Sequence, residues 1–203
     1  MIQQKFLGYI EQKNFAMEAA RHDYVLSLDA DERLSEAMRD EILKVKTNWQ
    51  GDAYAFDRLN NYGGVWLRFV ASPDRKTRLW DRRKGRWGGE NPHDKVMVDG
   101  RIQKLKGKLI HYAYRDLMAF YEQNLKFARI AAEAKYARGK KANMLWHVIL
   151  SSVFKFVRLY FFKLGFLDGA QGFVFSVMSA YTNFAKYSRL RELNRRGKDY
   201  DWG

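Results

Sequence analysis

Asp23-Tyr24-Val25-Leu26-Ser27-Leu28-Asp29-Ala30-Asp31-Glu32-Arg33-Leu34-Ser35 is the stretch on which the reading of this 203-residue chain turns. Tyr24 to Leu28 is an apolar run of strand length, and the acidic cluster Asp29-Ala30-Asp31-Glu32 closes it. Ser35 is placed to cap a helix that carries Met38, Ile42 and Val45 on one face. Strand side chains repeat every two residues, so a strand ending in Asp-x-Asp can turn both carboxylates to one side. Such a pair, here Asp29 and Asp31, suits a hard divalent cation that also binds a diphosphate. The metal would then assist departure of the phosphate as a Lewis acid. An acidic loop capping the next helix is the plainer alternative. A calcium EF-hand loop is excluded: Arg33 stands where a ligand is needed, and the required Gly and distant Glu are absent.

Working outward, Gln12 to His22 reads as a short helix before the strand. After it, Tyr54 and Phe56 alternate with small residues as in a half-buried strand, and Asn60-Asn61-Tyr62-Gly63-Gly64 is a loop. Lys76–Trp80 and Arg86-Trp87 flank a turn at Arg82-Arg83-Lys84-Gly85, a hairpin pattern. Gly88-Gly89-Glu90-Asn91-Pro92 reads as a second loop that delivers His93-Asp94, and Leu109-Ile110-His111-Tyr112 as a short strand. From Arg115 onward the pattern is helical, with breaks at Gly139 and at Gly165-Phe166-Leu167-Asp168-Gly169. Helices are expected near Asp116, over Met144–Leu164 and over Ala170–Leu193. The expected division is an α/β catalytic part over 1–114, C-terminal helices over 115–194 and a polar tail over 195–203.

Aromatic residues make up 16% of the chain, which is too many for a disordered segment. There is no cysteine, so disulfides, thiolate metal sites and a cysteine nucleophile are excluded. A formal net charge of +14 points to an anionic partner: phospholipid, nucleic acid or a phosphorylated substrate. Met1-Ile2-Gln3-Gln4-Lys5 has no apolar signal core.

Further positions can carry chemistry. A carboxylate at Asp94, presented by a Gly-rich loop, can deprotonate an acceptor hydroxyl as general base, with a surface turn and a packing His93 as the alternative. His111 is a candidate third metal ligand, and imidazole beside two carboxylates suits Mn²⁺ better than Mg²⁺. Flanked by Ile110 and Tyr112, it also reads as an ordinary strand residue. Arg78, Arg82 and Arg83 can meet phosphates or form a solvated basic hairpin.

Gln12-Lys13-Asn14-Phe15-Ala16 followed by Asp23 to Ser35 resembles the centre of the family-two inverting glycosyltransferases, in particular the bacterial lipopolysaccharide-core β-glucosyltransferase branch. The similarity continues through Arg78-Leu79-Trp80, Gly88-Gly89, His93-Asp94-Lys95-Val96 and His111 to Leu117, and ends with Gly165–Gly169 and Ser179-Ala180-Tyr181. The resemblance implies a GT-A, Rossmann-like fold, a UDP-sugar or other nucleotide-sugar donor, and a divalent metal, Mn²⁺ or Mg²⁺. By position, Asp29 and Asp31 match its metal-diphosphate motif and His111 its late metal-binding histidine. Asp94 stands where the family usually has a Glu base, one methylene longer, and Arg78, Gly88, Gly89 and His93 match segments that would contact phosphate or acceptor. The acceptor implied is a lipopolysaccharide-core sugar or related envelope glycolipid. Elements that bind the nucleotide base and ribose have no counterpart here, so the front of the catalytic domain is expected to be missing. An inactive or partner-dependent fragment of such an enzyme is the second reading.

A peripheral position at the cytoplasmic face of a bacterial inner membrane is expected for the C-terminal helices. Phe154, Phe156, Phe161, Phe162 and Phe166 supply apolar bulk, and Lys155, Arg158 and Lys163 would face anionic headgroups. Those charges interrupt the Trp146–Leu164 run, which therefore reads as interfacial rather than spanning. A helical hairpin packed on the catalytic part is the alternative. A nucleic-acid module would use Arg75-Lys76, Trp80, Arg82-Arg83-Lys84 and Trp87 for stacking and phosphate contact, but leaves Asp29 and Asp31 unexplained.

Overall fold

The computed structural model describes residues 2–90 and 93–197. Two compact units are present: residues 1–60 with 73–112, and residues 61–72 with 113–203. The segment 61–72 groups with the helical unit.

The first unit opens with α1 (Tyr9–Glu18), then β1 (Tyr24–Leu26), β2 (Glu32–Leu34), α2 (Glu36–Thr47) and β3 (Ala53–Tyr62). After β4 (Val65–Leu67), which belongs to the second unit, come β5 (Asp74–Asp81), β6 (Gly85–Glu90), β7 (His93–Val98) and β8 (Ile102–Tyr114). The expected α/β pattern is present. The main sheet runs β1-β5-β3-β8-β2, with β4 on β3, and β6 and β7 form a two-stranded sheet of their own.

Two sequence expectations change here. Arg86-Trp87 does not pair back on Lys76–Trp80; β6 pairs with β7, Gly88 lying opposite Lys95 and Gly89 opposite Asp94. Gly88 and Gly89 are thus strand residues, not loop. The physical reason lies in Trp80 and Trp87: both indoles are buried and meet edge to face, and Trp80 Nε1 donates to the Gly85 carbonyl at 3.0 Å. Turning the chain at Gly85 onto β7 buries both rings in one core with Val25, Ala53 and Val96. Neither ring remains available to stack on a base, which removes the nucleic-acid reading's platform.

A second core gathers Met38, Tyr54, Phe56, Leu79 and Leu109, with Ile42 and Val45 packed against it. Met38, Ile42 and Val45 form the expected helical face, and Ser35 Oγ accepts from the Met38 amide at 3.2 Å as the N-cap. Gly107 on β8 lets α2 approach: a Cβ there would lie 2.6 Å from Met38 Cα. Fully burying an apolar side chain of Phe56 or Leu109 size contributes about 1.5–3 kcal/mol.

In the second unit, α3 (Leu117–Ala137) is capped by Asp116, whose carboxylate accepts from the Ala119 amide at 2.9 Å. A continuous helix, Met144–Phe162, follows, π-helical at both ends (Met144–Leu150, Arg158–Phe162) around α4 (Ser151–Val157). By length and composition it is long and apolar enough to cross a membrane. Only Lys155 and Arg158 fall inside it, because Lys163 lies just beyond its end. α5 (Gly169–Arg196) completes the unit. Tyr62, Leu67, Val70, Phe120 and Leu159 form its core, backed by Phe175 and Met178.

The Gly165-to-Gly169 segment is a structural joint. Leu164 takes a left-handed conformation with φ 54°, and a Cβ on Gly172 would come within 1.9 Å of the Gly165 carbonyl oxygen. Asp168 accepts three backbone amides, from Arg68 at 2.8 Å, Phe69 at 3.0 Å and Val70 at 2.8 Å. That carboxylate ties segment 61–72 to the helices.

Candidate functional site

The expected site residues of the first unit are held by a chain of ion pairs that starts on α1. Asn14 is buried, and its side-chain amide clamps the Trp87 backbone, donating to the carbonyl and accepting from the amide at 3.0 Å each. This fixes α1 on β6 and sets the neighbouring Lys13 above the Trp87 ring, 4.3 Å from its centroid. From there Lys13 Nζ reaches Asp94 Oδ2 at 2.7 Å and Asp29 Oδ1 at 3.0 Å.

Asp29 is also held from the other side. Arg78 on β5, 4% exposed, donates from Nη2 to Asp29 Oδ2 at 2.6 Å and to Glu32 Oε1 at 2.7 Å. Glu32 Oε2 accepts from the Asp29 amide at 3.1 Å. Arg58 on β3 then joins Glu32 at 3.0 Å to Asp74 at 2.6 Å. Carboxylates and cations alternate throughout: Asp94, Lys13, Asp29, Arg78, Glu32, Arg58, Asp74. The two buried members, Arg78 and Glu32, persist as charges because they are paired in this way.

Asp29 and Asp31 do not occupy a strand end as expected. β1 stops at Leu26, and the residues between it and β2 make a turn in which the Glu32 amide donates to the Asp29 carbonyl at 2.9 Å. The two carboxylates therefore take different partners. Asp31 Oδ2 lies 3.4 Å from His111 Nε2, and His111 Nδ1 lies 2.6 Å from Asn60 Oδ1. β-sheet register produces this meeting, since Glu32 on β2 sits opposite His111 on β8.

Burial pushes the Asp29 carboxyl up, but Arg78 and Lys13 more than offset it and hold it below the usual carboxylate range. Asp31 is lowered chiefly by its hydrogen bond to His111. Asp74 is lowered as well, its burial overcome by Arg58 and Lys76.

Asp31 and His111 together fit two donors of a divalent cation, an oxygen and an imidazole nitrogen. Among the described residues no three His, Asp or Glu side chains form a ready cation cage. Of the candidate phosphate contacts, Arg78 is inside the ion-pair chain, and Gly88 and Gly89 are in β6. The His93 side chain lies outside the described residues. Arg82 is spent on the carbonyls of Glu18 and Ala20 at the end of α1, and Arg83 on Asp81 and Asp23.

Sequence reasoning assigned no role to Lys13, Glu32, Arg58 or Asn60. Glu32 was visible as the third acid of its cluster, and the arginines Arg78 on β5 and Arg58 on β3 are the partners such a buried acid demands.

No protein-family signature matches the chain. Individual proteins do. An uncharacterized glycosyltransferase of Rickettsia prowazekii (strain Madrid E) is 27% identical over 98% of this chain and 72% of its own length. One of Rickettsia conorii (strain ATCC VR-613 / Malish 7) is 25% identical over 96% of this chain and 73% of its own. The lipopolysaccharide core biosynthesis glycosyltransferase LpsC of Rhizobium meliloti (strain 1021) is 26% identical, covering 90% of this chain and 69% of its own. Over almost its whole length, then, the chain is similar to proteins named glycosyltransferases, and by that resemblance it is a transferase.

Proposed function

We propose that the chain serves the inverting transfer of a hexose, glucose among the candidates, from a nucleotide-sugar donor such as UDP-glucose to a lipopolysaccharide-core or related envelope glycan. The observation that carries this reading is the Lys13 bridge, which holds the carboxylates of Asp94 and Asp29 in one site. Asp94 accepts the proton of the attacking acceptor hydroxyl as general base. Attack from the face opposite the diphosphate inverts the anomeric carbon, and the transition state has oxocarbenium-ion character.

A GT-A arrangement of the first unit accompanies this reading. Asp31 and His111 would hold Mn²⁺ or Mg²⁺, while Asp29 is paired with Lys13 and Arg78, and the bound ion would neutralise charge on the departing diphosphate. Lys13, now bridging two carboxylates, can exchange one of them for a phosphate oxygen, since an ammonium is a mobile point charge.

The acceptor's lipid end would meet the second unit at the cytoplasmic face of the inner membrane. Support comes from the Met144–Phe162 helix and its surroundings, where Trp146 is 66%, Phe154 60% and Phe162 74% exposed.

Calorimetric titration of UDP-glucose in Mn²⁺ tests the reading on this chain and on Asp31→Ala. Metal-dependent binding by the former and its loss in the latter is expected. A folded chain that takes up no nucleotide sugar overturns the proposal.

A further inference from the structure

We infer that Lys135, Lys155 and Lys186, brought together from α3, α4 and α5, form a binding site for the phosphate group of an anionic lipid. Lys186 Nζ lies 4.3 Å from the Tyr187 ring centroid and Lys135 Nζ lies 5.7 Å from the same ring. Lys186 Nζ also donates to Asn183 Oδ1 at 2.9 Å. Asn183 is held in that orientation because its amide nitrogen donates to Ser151 Oγ at 2.7 Å. Lys155 sits one turn along from Ser151, the residue on which Asn183 is held, and adds its charge to that of Lys135 at Lys186.

Among the described residues no carboxylate pairs with Lys135, Lys155 or Lys186, and the neighbouring acids Glu133 and Glu192 are taken by Arg129 and Arg189. Between Ala134 and Leu167 the chain has no Asp or Glu at all, against Lys135, Arg138, Lys140, Lys141, Lys155, Arg158 and Lys163. Holding like charges together partly out of water costs free energy. Burial first, then the two neighbouring lysines, push Lys186 down to about 8. An anion between the ammoniums removes that cost, and phosphate offers several strong acceptor oxygens.

A lipid headgroup is the source that the surroundings favour. Lys155 lies on the helix that also carries the exposed Val153, Phe154 and Phe161, apolar side chains that can enter acyl chains. Basic pockets between helices at a membrane surface are suited to phosphate headgroups. The inference rests on the membrane-surface reading above only for this choice of source.

Vesicle co-sedimentation at low salt tests it, comparing phosphatidylcholine vesicles with phosphatidylcholine containing phosphatidylglycerol. The double variant Lys135→Gln/Lys186→Gln should lose at least about tenfold in partitioning to the anionic vesicles and be unchanged on neutral ones. The variant Lys140→Gln/Lys141→Gln removes the same charge outside the cluster and should lose clearly less. Lys135→Arg/Lys186→Arg should retain binding, and far-UV melting confirms that each variant is folded. In a second arm, inorganic phosphate is added and the melting temperature followed. Stabilisation of the parent but not of the double variant, without any vesicle preference, assigns the site to free phosphate and overturns the membrane reading alone. Equal behaviour of parent and double variant in both arms, or an equal loss in the charge control, overturns the site.

Discussion

Lys13 Nζ stands 2.7 Å from Asp94 and 3.0 Å from Asp29, so one ammonium joins the proposed base to the first acid of the Asp-x-Asp pair. Two residues 65 positions apart in sequence, read separately from it, share a single cation on a helix that the Asn14 clamp fixes in place. If Asp94 takes the acceptor's proton, Asp94→Asn should lower kcat by about 10²–10⁴-fold while leaving the nucleotide-sugar affinity close to that of the parent. Asp94→Glu should keep part of the rate. Single-turnover transfer from radiolabelled UDP-glucose checks both, and an unchanged kcat in Asp94→Asn removes this residue from the base role.

Asp29 carries a carboxyl held below its ordinary value of 3.8 because Arg78 and Lys13 outweigh its burial. A carboxyl lowered on folding adds stability that is complete above the unfolded pKa and is lost as pH falls through the folded one. Asp31 and Asp74 act in the same direction. Unfolding free energy should therefore drop as pH goes below about 4. Lys13→Met leaves Asp29 with Arg78 alone and should make that drop shallower. Urea unfolding at several pH values between 7 and 3 measures it, and parallel curves for the two proteins would contradict the assignment.

Asn14→Ala removes both hydrogen bonds to the Trp87 backbone and strands a buried amide and carbonyl. A loss of about 1–3 kcal/mol is expected. Hydrogen exchange should locate the opening: the Trp87 amide should exchange faster, with α1 loosened, while α2 amides keep their protection.

Asp168→Ala should cost about 2–4 kcal/mol, since three backbone amides lose their acceptor at once. Asp168→Asn keeps one acceptor oxygen and should fall between the two. Thermal melting of the second unit reports the order. Equal melting temperatures would show that solvent replaces the carboxylate at no loss.

Gly107→Ala tests the packing of α2 on β8. The added methyl would lie 2.6 Å from Met38 Cα and 2.7 Å from its amide nitrogen, backbone that cannot yield as a side chain can. Overpacking of this kind costs about 1–3 kcal/mol, and a melting temperature equal to the parent's would rule it out.

Local pattern was enough for the elements that carry their own periodicity. The Met38, Ile42, Val45 face, the Ser35 cap and the three C-terminal helices were all legible, because cap chemistry and a 3.6-residue repeat are properties of neighbouring residues. β8 was not: only Leu109 to Tyr112 of its 13 residues read as strand, since Lys104, Lys106 and Lys108 give the rest a polar, exposed face. Asp31 with His111 was legible as a pair of ligand types, and β-sheet register supplies the meeting. Lys13 and Arg58 were not legible as site residues, because their partners lie far away in sequence and nothing local marks a lysine or arginine that will bridge two carboxylates.

The ion-pair chain has Asp94 at one end and, beyond Asp74, Lys76 at the other, 3.4 Å from the Asp74 carboxylate. Position along it decides what protonation costs. A proton on Asp29 would weaken two pairs at once, to Lys13 and to Arg78, and one on Glu32 would weaken the pairs to Arg78 and Arg58. A proton on Asp94 disturbs a single link, and Lys13 remains neutralised by Asp29. If Asp94 is the base, a group that must gain and shed a proton in every turnover is thus placed where the network can follow its charge without coming apart.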